Sequence, residues 1–190
     1  TARTITFTDS TPAGTYNGVV KASDTTTGKT KEATFVVVIN KQTVNPPTNV
    51  QVGTDGKVTW TASSNATGYE ISMSESSGFT SATSGVNYLD SITASAGSRT
   101  VYVRAVNSDT DNFSTPSSNA TKAVTVYSVT LTKGTGISSV TGAGNYISGT
   151  TVTLGATVSA GYAWSKWTQT SGGTQVSTTN GYSAAISANW

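Results

Sequence analysis

Apolar residues in this chain come in short runs that alternate with polar ones, with no convincing run at helical spacing. The alternation predicts a hairpin near the start. Its strands are Thr15–Ser23 (TYNGVVKAS) and Thr30–Ile39 (TKEATFVVVI), and Asp24-Thr25-Thr26-Thr27-Gly28-Lys29 forms the turn between them. Residues Asn40–Pro47 (NKQTVNPP) then break the pattern, because Pro46 and Pro47 cannot donate to a ladder. A linker over 41–47 is expected. From Asn49 to Val126 the spacing predicts about seven short strands. Among them are Asn49–Val52, Lys57–Thr61, Gly68–Met73, Arg99–Val106 and a last strand Ala123–Val126, with Thr54-Asp55-Gly56 as the first turn. Trp60, Tyr69 and Ile71 would oppose Val101 with Val103, or Tyr102 with Arg104, across a core.

Composition sharpens the class. Ser and Thr make up about a third of the residues, and β-branched residues with many turn formers point to an all-β protein. At 190 residues the chain can hold two or three small domains. The net charge of +2 gives no nucleic-acid surface. There is no His, which excludes a Ser-His-Asp triad and His metal ligands. There is no Cys either, which excludes thiol nucleophiles, thiolate metal sites and disulfides. No apolar run is long enough for a membrane helix.

Three resemblances follow from these residues. PPTNVQV, VTWTAS, ATGYEISMS, RTVYVRAVN and STPSSNAT, with Trp60 in the second strand and Tyr102 in the sixth, resemble a fibronectin type III domain over 48–126. That resemblance implies a seven-stranded sandwich. The integrin-binding Arg-Gly-Asp of some such domains is replaced by NSDTDNFS, Asn107–Ser114. GTYNGVVKASDTTTGKTKEATFVVVI is similar to the closing hairpin of a bacterial immunoglobulin-like or cadherin-like domain, which assigns 1–40 to part of one. YSVTLTKGTG and GAGNYISGTTVTLGATVSAGYAWSKW resemble the short internalin-type β-repeat, placing a partial repeat at 127–190 with its last strand cut at Trp190. Both ends are therefore expected to interrupt a domain.

Several residue groups invite chemistry. GYAWSKW, Gly161–Trp167, is either a stacking platform or a core. In an ideal strand Tyr162 and Trp164 share one face and Trp167 takes the other, which argues against one flat platform. The resemblance to the repeat implies that all three aromatics fill its small core. Asp109 and Asp111 are spaced to share Ca²⁺, but they lack an EF-hand glutamate and glycine, so a solvated turn is the expectation. Asn65, Asn112 and Asn119 open Asn-X-Ser/Thr sequons. A Lys–Asn isopeptide bond would draw on Lys21, Lys31, Glu32 and Asn40. Gly142-Ala143-Gly144 and Gly172-Gly173 fall in hairpin-like turns and cradle no phosphate. No catalytic, cofactor-binding or metal residue is assigned.

The expected architecture is tandem small β-domains with no enzymatic role. The resemblances imply an extracellular stalk, spacer or adhesive segment of a larger bacterial surface or secreted protein. One alternative is a binding segment in which exposed aromatics such as Phe79, Tyr88, Phe113 or Tyr182 contact a glycan or host protein, and a further one is a noncatalytic accessory of a secreted hydrolase. Another is a filament subunit completed by strands from adjacent subunits. Neighbouring domains or subunits are the expected partners, and no cofactor, nucleic acid or membrane insertion is expected.

Overall fold

The computed structural model describes residues 4–8 and 11–190, so residues 1–3 and 9–10 of the expected first domain lie outside the described residues. Nearly all the regular structure is β. Strands β1 (Gly14–Ser23) and β2 (Thr30–Ile39) pair in register from Gly14↔Ile39 to Ser23↔Thr30, within a residue of the sequence expectation. Asp24 closes their turn. Its carboxylate accepts from the Thr26 amide (2.8 Å), the Thr27 amide (3.3 Å) and the Thr27 hydroxyl (2.5 Å). These bonds to the charged form, that from the Thr27 hydroxyl first, hold the Asp24 carboxyl below the usual aspartate range. The hairpin stands clear of either core. Val19, Val20, Val36 and Val38 are each more than half exposed, and no residue of β1 or β2 is fully buried.

The segment expected as a linker is built into the fold instead. β3 (Gln42–Thr43) pairs in parallel with a short strand farther along the chain. Val44 and Pro47 are buried behind it. The proline pair ends one ladder without freeing the chain, since the Pro47 ring is itself fully buried.

β4 (Thr48–Val52) and β5 (Val58–Thr61) form one layer of a two-layer core. The facing layer contains β6 (Gly68–Ser72) and β7 (Thr80–Ala82). Between β7 and the next strand there is a Lys57↔Asn87 bridge and a single helical turn, α1 (Leu89–Ile92), which buries Ile92. β8 (Gly97–Val106) pairs with β6, and β9 (Phe113–Ser114) is the partner of β3. Val50, Val58, Trp60, Ile71, Ile92, Val101 and Val103 form the core. Of the two registers open in the sequence, Val101 and Val103 therefore point inward, while Tyr102 and Arg104 lie on the half-covered outer face. Trp60 packs on Tyr69 with ring centroids 5.3 Å apart.

β10 (Ala120–Val129) is longer than the expected Ala123–Val126, and it crosses the expected domain boundary without interruption. Residues 120–126 pair with β8. β11 (Ile137–Thr141) follows, and β12 (Gly144–Ile147) returns along the other edge of β10, from Val126↔Ile147 to Val129↔Gly144. One sheet thus runs β12-β10-β8-β6-β7 through both modules. The remaining strands wrap a second core. They are β13 (Thr151–Thr153), β14 (Gly155–Val158), β15 (Trp167–Thr168), β16 (Gln175–Ser177) and β17 (Ser183–Ala185). They pair as β11 with β14, β13 with β17 and β15 with β16. Val129, Val152, Leu154, Trp167 and Ile186 fill this core.

Because side chains alternate along a strand, the β10–β12 pair can serve two cores at once. Val126 and Ile147, opposite each other, belong to the first core. The next pair, Tyr127 and Tyr146, packs on the second. The pair is a common wall. Two polar bonds flank it, from Asn145 Nδ2 to the Thr93 carbonyl (3.0 Å) and from Thr150 Oγ1 to the Thr54 carbonyl (3.2 Å).

Candidate functional site

GYAWSKW is not a regular strand. Residues 162–166 are irregular and β15 begins only at Trp167, so strand alternation does not separate the two tryptophans. They pack together, ring centroids 5.1 Å apart and tilted by 58°. Trp167 is buried, at 9% exposure, and its indole N–H donates to the Asn180 carbonyl (2.9 Å). Trp164 is half-buried, and its N–H donates to the Thr178 carbonyl (2.8 Å). Tyr162 departs from the expectation of a buried trio, being 58% exposed. It lies across Gly136, where any Cβ would meet the ring at 2.3 Å. The cluster is thus half core and half surface.

Two clefts flank it. One, of about 370 Å³, lies against Trp167, Tyr182 and Trp190. Trp190 is anchored there: its amide donates to the Ser128 carbonyl (3.0 Å), and its own carbonyl accepts from the Thr130 amide (2.9 Å). Its ring lies 6.1 Å from that of Tyr182. Trp190 is thus hydrogen-bonded to Ser128 in β10 and to Thr130 just beyond it. The second cleft, of about 440 Å³, has Trp164 in its wall together with Lys133, Lys166, Thr135, Ser165 and Gln169.

The acidic loop has a structural use. Asp109 accepts from the Asn112 amide (3.1 Å) and the Asn112 side-chain nitrogen (2.9 Å). These bonds, the side-chain one first, hold the Asp109 carboxyl below the usual aspartate range. Asn112 in turn accepts from the Ala13 amide at Oδ1 (3.0 Å) and from the Gln42 amide at its carbonyl (2.7 Å). Lys41 Nζ donates to the Thr110 carbonyl (2.5 Å). The loop moors the base of the hairpin, and Asp109 and Asp111 form no acidic cluster suited to a metal among the described residues.

Each sequon asparagine has its amide nitrogen engaged: Asn65 with the Thr43 carbonyl, Asn112 with Asp109 and Asn119 with the Glu75 carbonyl. The isopeptide candidates Lys21, Lys31, Glu32 and Asn40 are all exposed, and Lys21 pairs with Glu32 at 3.1 Å, so the buried Lys–Asn pair that the reaction needs is not assembled. Gly172 and Gly173 form the β15–β16 turn, both at positive φ, and Gly142 and Gly144 lie at the β11–β12 turn. Phe79, Tyr88, Phe113 and Tyr182 are half-buried and do not converge on one site. Phe79 carries the Arg104 guanidinium 3.8 Å above its ring, and Arg104 also pairs with Glu70 at 2.7 Å. Sequence reasoning missed Lys133 and Lys166, whose signal was the absence of any acidic residue around them.

Residues 127–190 match a family model described as a divergent InlB B-repeat domain. No curated protein and no solved structure matches the chain. The match supports a bacterial repeat over the second core and fits a surface-protein module. Among the described residues, no helix is long and apolar enough to cross a membrane.

Proposed function

We propose that this chain is a non-catalytic, extracellular spacer segment of a larger bacterial surface protein, in which a fibronectin type III-like sandwich carries an internalin-type repeat at a fixed angle. The observation that carries the reading is the common wall, in which β10 and β12 present Val126 and Ile147 to one core and Tyr127 and Tyr146 to the other. A spacer must resist bending at its joints. A continuous strand shared by two cores leaves no flexible residue between them, unlike a polar linker. Residual dipolar couplings on the whole chain test the idea. A single alignment tensor should fit both modules, whereas two unrelated tensors would overturn it.

A second reading is favoured by the hairpin. Tyr16, Val20, Phe35, Val37 and Ile39 share one face; Phe7 packs on Tyr16 there with ring centroids 5.8 Å apart, and among the described residues neither β1 nor β2 pairs with a further strand. This suits the last hairpin of an immunoglobulin-like domain, or one completed by a strand from an adjacent subunit. Sedimentation that stays monomeric across the accessible concentration range would remove the subunit version.

A further inference from the structure

The repeat module has an unusual charge inventory. Between residues 127 and 190 there are two lysines, Lys133 and Lys166, and no Arg, Asp or Glu. Both lysines lie in the wall of the same cleft of about 440 Å³. Neither forms an ion pair among the described residues. Lys133 Nζ donates once, to the Ser138 carbonyl at 3.2 Å, which leaves it further donors. The positive charge in the cleft is thus uncompensated by the module itself.

Trp164 stands beside these lysines. Its N–H is tied to the Thr178 carbonyl and one side of its ring to Trp167, so the indole is fixed before any ligand arrives. Fixed aromatic surface costs little entropy on binding. Thr135, Ser165 and Gln169 add hydroxyl and amide groups to the wall. Two cations are far too few to follow a polyphosphate backbone, and a wall that mixes Ile137, Val140 and Trp164 with hydroxyl and amide groups suits a ligand with both an apolar and a polar side. The combination suits a small, hydroxyl-rich anion with one apolar face.

We propose that this cleft binds an acidic saccharide, the carboxylate directed to Lys133 and Lys166 and a sugar-ring face laid on Trp164. The proposal goes beyond the spacer reading and does not depend on it, since a flexible joint would leave the cleft intact.

Calorimetry on the whole chain, with indole N–H resonances followed by NMR, tests it. The probes are a galacturonate trisaccharide, sialyllactose, neutral lactose and sodium acetate. At least one acidic saccharide should bind and shift the Trp164 indole signal, with lactose at least ~10-fold weaker, and the binding should weaken as salt rises. Preference between the two acids assigns the carboxylate to a uronate or a sialate. Lys133→Gln and Lys166→Gln should each weaken binding about 5-fold, the scale of a partly exposed ion pair. Both lysines are exposed, so these variants should stay folded. Equal binding of lactose, full affinity in the double Lys→Gln variant, or no binding of either acid would overturn the proposal. So would acetate competing as well as the saccharides, which would mean an adventitious ion only.

Discussion

The hairpin β1–β2 and the wall β10–β12 are both antiparallel pairs of alternating sequence, yet they differ in everything that follows pairing. The hairpin has ten paired positions and no buried side chain. The wall has four paired positions, and its faces close two cores. Ladder hydrogen bonds are largely exchanged for bonds to water, so their net contribution is small, and an isolated hairpin is marginal at best. Burial of a Val or Ile side chain contributes about 1.5–3 kcal/mol. Stability in this molecule therefore follows the faces of the strands more than their length.

The largest expected effect comes from breaking the wall. Ile147→Ala should cost about 2–5 kcal/mol, the range for truncating a buried Ile. Ile147 is 4% exposed and belongs by sequence to the repeat and by packing to the sandwich core. Trp60 lies in one core and Trp167 in the other. Denaturation followed by tryptophan fluorescence should lose both signals in one transition moved to lower denaturant. Loss of the Trp60 signal alone would show that the modules fold separately.

A smaller effect is expected where the hairpin meets the sandwich. Asn112→Ala removes the acceptor for the Ala13 amide and the donor to Asp109. One or two such bonds are worth about 1–2 kcal/mol together. Amide exchange in β1 and β2 should quicken, while the melting temperature of the cores stays nearly fixed. A full drop in melting temperature would mean that the hairpin helps hold the sandwich together.

Much of this arrangement was legible in the sequence, and what was not has a common cause. Alternation located β1, β2, β5 and β8 because each has a consistent inside or outside along its length. β10 was read as ending at Val126 because its inward parity switches there: Val126 faces one core, and Tyr127 and Val129 face the next. A pattern that changes face looks like a boundary when only one core is imagined. Val44 and Pro47 read as linker in the sequence because proline breaks a ladder, and burial carries no local signature. The tryptophans of GYAWSKW were divided between two faces by a strand geometry that residues 162–166 do not adopt. The lack of acids around Lys133 and Lys166 is legible in the sequence, but it points to a site only once the fold brings both into one wall.

Acid should loosen the surface turns held by Asp24, Asp55 and Asp109 in preference to the cores. All three have carboxyls held below the usual aspartate range by hydrogen bonds to the charged form, for Asp55 chiefly that from the Lys57 amide in the β4–β5 turn. A lowered folded-state value means that the unfolded chain binds the proton more tightly. The contribution is therefore complete above the unfolded value of about 4 and is lost as pH falls from there through each lowered pKa. All three groups are at the surface, so the expected change is local. Amide signals of Thr26, Thr27, Lys57 and Asn112 should move together with the three carboxyl titrations, below pH 4, while the Val101 and Val103 amides stay put.

The smallest effect is the sharpest test of the comparison. Val36 and Val38 are 62% and 60% exposed on the hairpin face that also carries Lys21 and Glu32. Replacing both with Thr keeps β-branching, and so the strand preference, while removing apolar surface that nothing covers. In the isolated chain the double variant should change stability by no more than about 0.5 kcal/mol, as for other exposed substitutions. Denaturant midpoints of the two proteins check this directly. A loss beyond about 1 kcal/mol would mean that this face is buried in solution. If that loss grew with protein concentration, the cover would be a second copy of the chain, since only association makes stability depend on concentration.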